Sequence, residues 1–318
     1  MTVGPSLFKD NLLSKIHKSN FIYRINGAHG SIQAISKTIK DVHAAISNPV
    51  LLLDLPGNKV RTAQLEKGIA IESGKKFQLK PEQINYSKFH ELLKKGDTVL
   101  ANDSTFKFTV DEISGGVITF LSHSTGVLGP NKGMHLRGIS DRLPFLFQKD
   151  SDLIQLANQE KVAFVGLSFV RTAADVREAR ALISPTIEII SKIETIRAVE
   201  NINSILEQVD RILVDRGDLS TEVTIERVAS FQRFIIERAH FFNKEVYLAT
   251  QFLKNMEEKP IPTIAEVIDL YNTLKMGVMG IQLSEETAVG AYPAECLDVI
   301  DRVQRTIEQE ALGGLDPS

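Results

Sequence analysis

The sequence predicts an α/β protein, a (β/α)8 TIM barrel with a small β domain inserted after the third strand. Short apolar runs alternate with longer amphipathic stretches, as repeated βαβ units require. One region in the first half changes to a period-two, turn-punctuated pattern, and nearly every apolar run ends in a polar residue.

The apolar runs are Phe21–Ile25, Val50–Asp54, Val162–Leu167, Ile187–Ile193, Arg211–Val214, Glu245–Ala249 and Val278–Leu283. Each is almost continuously apolar, as in a strand buried on both faces of a parallel sheet. Helix-like segments lie between them at Ser31–Ser47, Ala173–Leu182, Ile196–Glu207, Thr224–Asn243, Thr263–Lys275 and Pro293–Gln309. The strand still needed to complete a barrel is a stub at Thr2–Val3, directly before the turn Gly4-Pro5-Ser6. Counted from that stub, Val50–Asp54 is the third strand.

From about Ala63 to Arg137 the rhythm changes. Phe106, Phe108 and Val110 alternate with polar residues, and Gly115-Gly116 marks a hairpin turn. The expected organisation is a catalytic barrel from residues 1–61 and 139–318, with an inserted β lid from 62–138.

A net charge of −3 excludes a general nucleic-acid binder, which carries a basic excess. No apolar run is long enough to span a bilayer, and MTVGPSLFKD lacks a signal-peptide pattern. The expected location is cytoplasmic, with no membrane partner. The single cysteine, Cys296, leaves no internal disulfide and no multi-cysteine metal site. Within the apolar stretch AECLDVI it reads as a small buried hydrophobe.

In such a barrel, chemistry sits where the strands end and their loops converge. The polar groups found there are Arg24 and Asn26, Asp54 and then Arg61, Ser168 with Arg171, Lys192 with Glu194, Asp218, Thr250, and Ser284 with Glu286. Residues two apart on a strand share a face, so Lys192 and Glu194 point the same way. Glu194 and Asp218 would hold one hard cation, since Mg2+ takes one or two carboxylates and completes its shell with water and substrate. The plainer alternative makes them surface salt bridges to Lys192 and Arg216. Gly217 lets backbone approach a ligand closely, and the helix from Leu219 to Glu222 is expected to offer its amides to an anion. Arg24, Arg61 and Lys192 beside one metal would repel each other without an anionic ligand. That favours a phosphorylated substrate.

Seven segments resemble motifs of the pyruvate kinase family, in the family's order: FIYRINGAHG, LLLDLPGNKVRT, GLSFVRTAADV, SKIETIRAVENI, ILVDRGDLSTEV, ATQFLKNMEEKPIPTIAEVIDL and IQLSEETAVGAYP. KKGDTVLANDSTFKFTV and GVLGPNKGMHLRG resemble its inserted domain, so the likeness covers nearly the whole chain. The resemblance implies a phosphotransferase that moves a phosphoryl group between phosphoenolpyruvate and a nucleoside diphosphate, giving pyruvate and a triphosphate. By matching position, Lys192 would stabilise charge on the phosphoryl group and the enolate. Glu194 and Asp218 would bind Mg2+ (or Mn2+), and Arg24 would contact the phosphoryl group with Arg61 nearby. Gly217, Asp218, Ser168 and Thr250 would line the substrate site, with Thr250 and Ser284 on the proton route to the enolate. Asn26, His29 and Lys132 would lie near ADP or ATP.

The sequence departs from the family pattern at several positions. Of the family's monovalent-cation ligands, Asn26 and Asp54 are present, but Ala28 and Leu55 replace a Ser and a Thr. Lys59 stands where potassium-dependent members carry a Glu, so no K+ requirement is expected. Leu283 to Gly290 reads LSEETAVG against LSGETAKG, placing Glu285 and Val289 where the family has Gly and Lys, and Asn131 replaces a usual Lys. The sequence ends after the eighth barrel helix, without the family's C-terminal effector domain, which leaves homo-oligomer formation open. Two alternatives stay open as well: a Mg2+-dependent lyase or decarboxylase acting on pyruvate or oxaloacetate, and a non-catalytic relative that binds a metabolite.

Overall fold

The computed structural model describes residues 1–312 apart from 64, 66, 103–104 and 137–141. It divides into two compact units, one of Met1–Pro56 with the chain from Gln148 onward, the other of Gly57–Phe147.

The first unit is built on seven parallel strands. β1 (Ile22–Asn26) and β2 (Val50–Asp54) precede the insertion. The insertion carries β3 (Ile69–Ile71), β4 (Lys76–Leu79), β5 (Thr98–Ala101), β6 (Phe106–Ser114), β7 (Val117–Ser122), β8 (Gly126–Leu128) and β9 (Met134–His135). After it come β10 (Phe164–Leu167), β11 (Glu188–Ile193), β12 (Arg211–Asp215), β13 (Glu245–Ala249) and β14 (Gly280–Gln282). The sheet runs β1-β2-β10-β11-β12-β13-β14, every pair parallel.

The expected stub closes the ring. Thr2 N–H donates to the Leu283 carbonyl (2.9 Å) just beyond β14, while Val3 N–H donates to Arg24 (2.9 Å) and Arg24 N–H to Met1 (2.8 Å). Two residues therefore do the work of a strand, and the α/β barrel predicted from the sequence is the fold observed.

Helices pack outside the sheet. Ile32–Ala45 starts at Ser31, whose hydroxyl accepts Ala34 N–H, and it buries Ile35, Ile39 and Val42 at helical spacing. Ile264–Lys275 opens with a reciprocal box: Thr263 Oγ1 accepts Glu266 N–H (3.3 Å) and Thr263 N–H donates to Glu266 Oε2 (2.7 Å). The expected helix Ile196–Glu207 is two pieces, Ile196–Glu200 and Ile202–Leu206. At the break, Asn201 Nδ2 donates to the carbonyls of Arg171 (3.2 Å) and Arg197 (2.8 Å), a side chain competing with the helical ladder. Gln148–Glu160, absent from the sequence reading, is also helical.

Cys296 is fully buried in the helix Pro293–Ala311, where burial pushes its thiol up to about 12. Ser191, on β11, is fully buried, and among the described residues its hydroxyl has no hydrogen-bond partner. An unpaired buried hydroxyl costs about 1–3 kcal/mol. Ser191→Ala is therefore expected to leave stability unchanged or raise it by up to about 1 kcal/mol in denaturant melts; a clear loss would mean the hydroxyl is satisfied.

The second unit is antiparallel. A five-stranded sheet, β4-β7-β6-β5-β9, stands beside the pair β3–β8. Ser114 pairs with Val117, so Gly115 and Gly116 form a two-residue loop with φ of 56° and 83°, as a type I′ hairpin turn demands. Phe89, Phe106, Phe108 and Phe120 make its own core. Arg61 bridges to Gly133 and Thr62 to Ile84, so Arg61, just before the expected boundary at 61/62, already pairs within this unit. The expected boundary at 138/139 lies outside the described residues.

Candidate active site

Strand alternation builds the site. Leu52, Phe164, Ile190, Leu213 and Ala249 pack together as an apolar cluster, with Ile22 and Val50 against it. Two residues further along the same strands, and so on the same face, stand Arg24, Asp54, Gly166, Lys192 and Asp215. One face thus passes from apolar to charged as the strands approach their C-terminal ends.

Lys192 lies at the centre. Its Nζ is 3.2 Å from Glu194 Oε2 and 3.2 Å from Asp215 Oδ2, and it donates to Ser168 Oγ (3.2 Å). Ser168 in turn donates to the Leu55 carbonyl (2.7 Å), so its hydroxyl orients the ammonium. Burial alone would lower the Lys192 pKa, but Asp54, Glu194, Asp215 and Asp218 outweigh it and hold the ammonium protonated well above its usual range.

Glu194, Asp215 and Asp218 bring carboxylate oxygens within 4.8 Å of one another. Three carboxylates, once all are ionised, leave two negative charges in excess over one ammonium, which is the charge of one divalent cation. Glu194 Oε1 accepts Phe169 N–H (2.7 Å), whereas its buried Oε2 faces Lys192 but accepts no hydrogen bond among the described residues. Burial pushes the Glu194 carboxyl well up, and Asp218 and Asp215 add to the rise against the pull of Lys192. An all-oxygen donor set with an orphaned buried oxygen fits a hard cation such as Mg2+.

Asp215 is the residue the sequence reading missed, because the strand was ended at Val214. Its parity with Leu213 was the available signal. It also changes the reading of the following helix. That helix spans Arg216–Glu222, starting three residues earlier than expected, and two of its first amides have partners: Asp218 N–H donates to Asp215 Oδ1 (3.3 Å) and Gly217 N–H to Thr250 Oγ1 (2.9 Å). Gly166 was also missed. A Cβ there would lie 2.7 Å from Asp54 Oδ1, so a glycine inside β10 marks the close approach of that carboxylate.

Arg24 is held against Asp54, with Nε and Nη2 each 2.7 Å from Oδ2. Thr250 sits at φ 74°, costly for a β-branched residue. Arg216 secures that turn through Nη2 (2.6 Å) and Nε (3.2 Å) on the Thr250 carbonyl, and it pairs with Asp269 (2.7 Å). Arg216 is thus a clamp on Thr250 rather than the salt-bridge partner considered for Asp218. Arg171 pairs with Asp175.

The remaining predicted residues have partners of their own. Asn26 Oδ1 accepts Ala28 N–H (3.0 Å), and His29 is exposed. Ser284 is buried, and its N–H donates to Glu286 Oε2 (2.7 Å). Lys59, Arg61 and Lys132 belong to the inserted unit. There Lys59 O accepts from Asn85, Arg61 Nη1 donates to the Asn131 carbonyl (3.4 Å), and Lys132 N–H donates to Thr62 Oγ1 (2.8 Å).

A family model described as the pyruvate kinase barrel domain matches residues 1–297. The chain belongs to the pyruvate kinase family. It is 36% identical over 338 residues to a pyruvate kinase of Thermotoga maritima, covering 97% of this chain and 70% of that protein. It is 33% identical over 331 residues to one of Sporosarcina psychrophila, covering 96% of this chain and 56% of the relative. A pyruvate kinase of Clostridium acetobutylicum is 31% identical, with 97% and 70% covered. The chain therefore spans little more than half the length of one of these pyruvate kinases and about two thirds of the others. Among the described residues no helix is long and apolar enough to cross a membrane.

Proposed function

We propose that this chain transfers a phosphoryl group between phosphoenolpyruvate and a nucleoside diphosphate, with Mg2+ and without K+. The observation that carries the reading is the Lys192 ammonium buried among Glu194, Asp215 and Asp218, two charges short of neutrality. Glu194 and Asp218 would hold the cation, and Asp215 would serve as counter-ion to Lys192. A bound Mg2+ would neutralise charge on the substrate's oxygens.

The chain's own residues supply positioning and charge, which is nearly all that phosphoryl transfer asks of a protein. Arg24 offers a guanidinium fork to the phosphoryl group. Lys192, kept protonated by its neighbours, stabilises charge on that group and on the enolate oxygen left when it departs. Thr250 places a hydroxyl beside Gly217 for the pyruvate moiety and the proton the enolate needs. The roles given to Asn26 and His29, and to Lys132 and Arg61 of the inserted unit, in binding ADP or ATP and the phosphoryl group rest on the resemblance alone.

K+ independence is supported by Ala28 and Leu55, whose side chains carry no oxygen, and by Asp54, already paired with Arg24. Turnover of phosphoenolpyruvate with ADP and Mg2+, followed as pyruvate formed, is expected to change less than about twofold when K+ is replaced by tetramethylammonium. That bound is under about 0.4 kcal/mol on the barrier. No pyruvate above background would end the phosphotransfer reading. Decarboxylation of oxaloacetate without nucleotide would then favour a lyase on the same cluster.

A further inference from the structure

The seam that closes the barrel also touches the arginine in its mouth. Thr2 is almost fully buried between β1 and the end of β14. Its hydroxyl donates to the Leu283 carbonyl (2.8 Å) and accepts from Arg24 Nη1 (2.9 Å). We infer that Thr2 is a positioning residue: its hydroxyl fixes the plane of the Arg24 guanidinium for a phosphoryl group. The inference rests on the phosphoenolpyruvate reading above.

Donor counting supports it. A guanidinium has five N–H bonds. Nε and one edge of Nη2 face Asp54 Oδ2, and Nη1 gives one bond to Thr2, which leaves an N–H on each terminal nitrogen for a ligand. Asp54 alone touches Arg24 through a single oxygen, about which a long side chain can pivot. The second anchor at Nη1 removes that freedom, and bidentate capture of an anion depends on the fork's direction.

The anchor itself is rigid. Donation to Leu283 fixes the hydroxyl proton, so a lone pair is left facing Nη1. Thr287 Oγ1 donates to the Thr2 carbonyl (2.9 Å) and lies 3.1 Å from Thr2 N. Ser6 Oγ donates to the Gly290 carbonyl (2.8 Å), and a Cβ at Gly4 would lie 2.3 Å from the Ala288 carbonyl oxygen. The segment before β1 is thus pinned along the turn Leu283–Gly290, the same turn that carries Glu285 and Val289. The orientation of the Arg24 guanidinium is thus set by the Thr2 hydroxyl as well as by Asp54.

The test compares Thr2→Val, Thr2→Ser and Thr287→Val with the full-length wild type. Valine keeps the shape of Thr2 and loses the acceptor, so the KM for phosphoenolpyruvate should rise about tenfold, with kcat and the KM for ADP within about twofold. Thr2→Ser keeps the hydroxyl and should restore the wild-type KM, even if it melts lower. Thr287→Val loosens the seam without touching Arg24 and should lower Tm while leaving that KM within about twofold.

Wild-type KM in Thr2→Val, or an equal rise in Thr287→Val, would overturn the inference while leaving the phosphotransfer reading intact. If wild type neither turns over nor binds phosphoenolpyruvate by calorimetry with Mg2+ present, both fall together.

Discussion

Lys192→Met is expected to lower kcat for phosphoenolpyruvate by at least about 100- to 1,000-fold, the usual cost of deleting one preorganised charge-stabilising donor. Here that donor is a full charge in a desolvated pocket. The same change removes the only ammonium facing Glu194, Asp215 and Asp218 among the described residues. Taking one partner from a buried ion pair costs about 3–5 kcal/mol, so the metal-free variant should also melt lower. Steady-state kinetics with thermal melts on both proteins separate the two effects. A variant with wild-type kcat would remove Lys192 from the chemistry.

Glu194→Gln should move stability and metal binding in opposite directions. Glutamine keeps an oxygen for the Phe169 N–H and deletes one of the three crowded negative charges. Because the Glu194 carboxyl is raised in the fold, it withdraws stability above the pH at which an unfolded glutamate ionises, about 4.3. The metal-free variant should therefore melt higher than wild type near neutral pH, with the gain fading as pH falls towards that value. Mg2+ at a hundredfold excess over its Kd contributes about 2.7 kcal/mol, or about 5–10 °C in Tm for a domain of this size. Wild type should show that rise and the variant should not. A Mg2+-induced rise that survives the substitution would place the ion elsewhere.

Both expectations depend on residues whose visibility in the sequence differed. Lys192 and Glu194 were legible because strand parity forces Lys-Ile-Glu to put both charges on one side. Asp215 obeys the same parity from Leu213, yet Val-Asp-Arg-Gly-Asp reads as a turn, and only the paired register with Ala249 shows the strand reaching it. Thr2 was legible as a strand stub but not as a partner of Arg24, since no local pattern reports a contact across the closing seam. The helix Gln148–Glu160 escaped notice because its apolar residues, Leu153, Ile154, Leu156 and Ala157, cluster within two turns of an otherwise polar segment. In the insertion, alternation through Phe106 and Phe108 and the paired glycines were enough to give the hairpin. The partners of the helix-terminus amides were hidden for a different reason. Free amides cannot be read from a sequence when the side chains that occupy them, Asp215 and Thr250, come from the ends of two different strands.

The two-residue clasp also bears on how the molecule assembles. Thr2 and Leu283 are 281 residues apart, so the ring is completed by some of the most distant neighbours in the chain. A nascent polypeptide exposes the free edge of β1 until β14 has been made, and contacts of such separation form slowly. Ring closure thus waits until β14 has been made, and the guanidinium of Arg24 gains its second anchor only then.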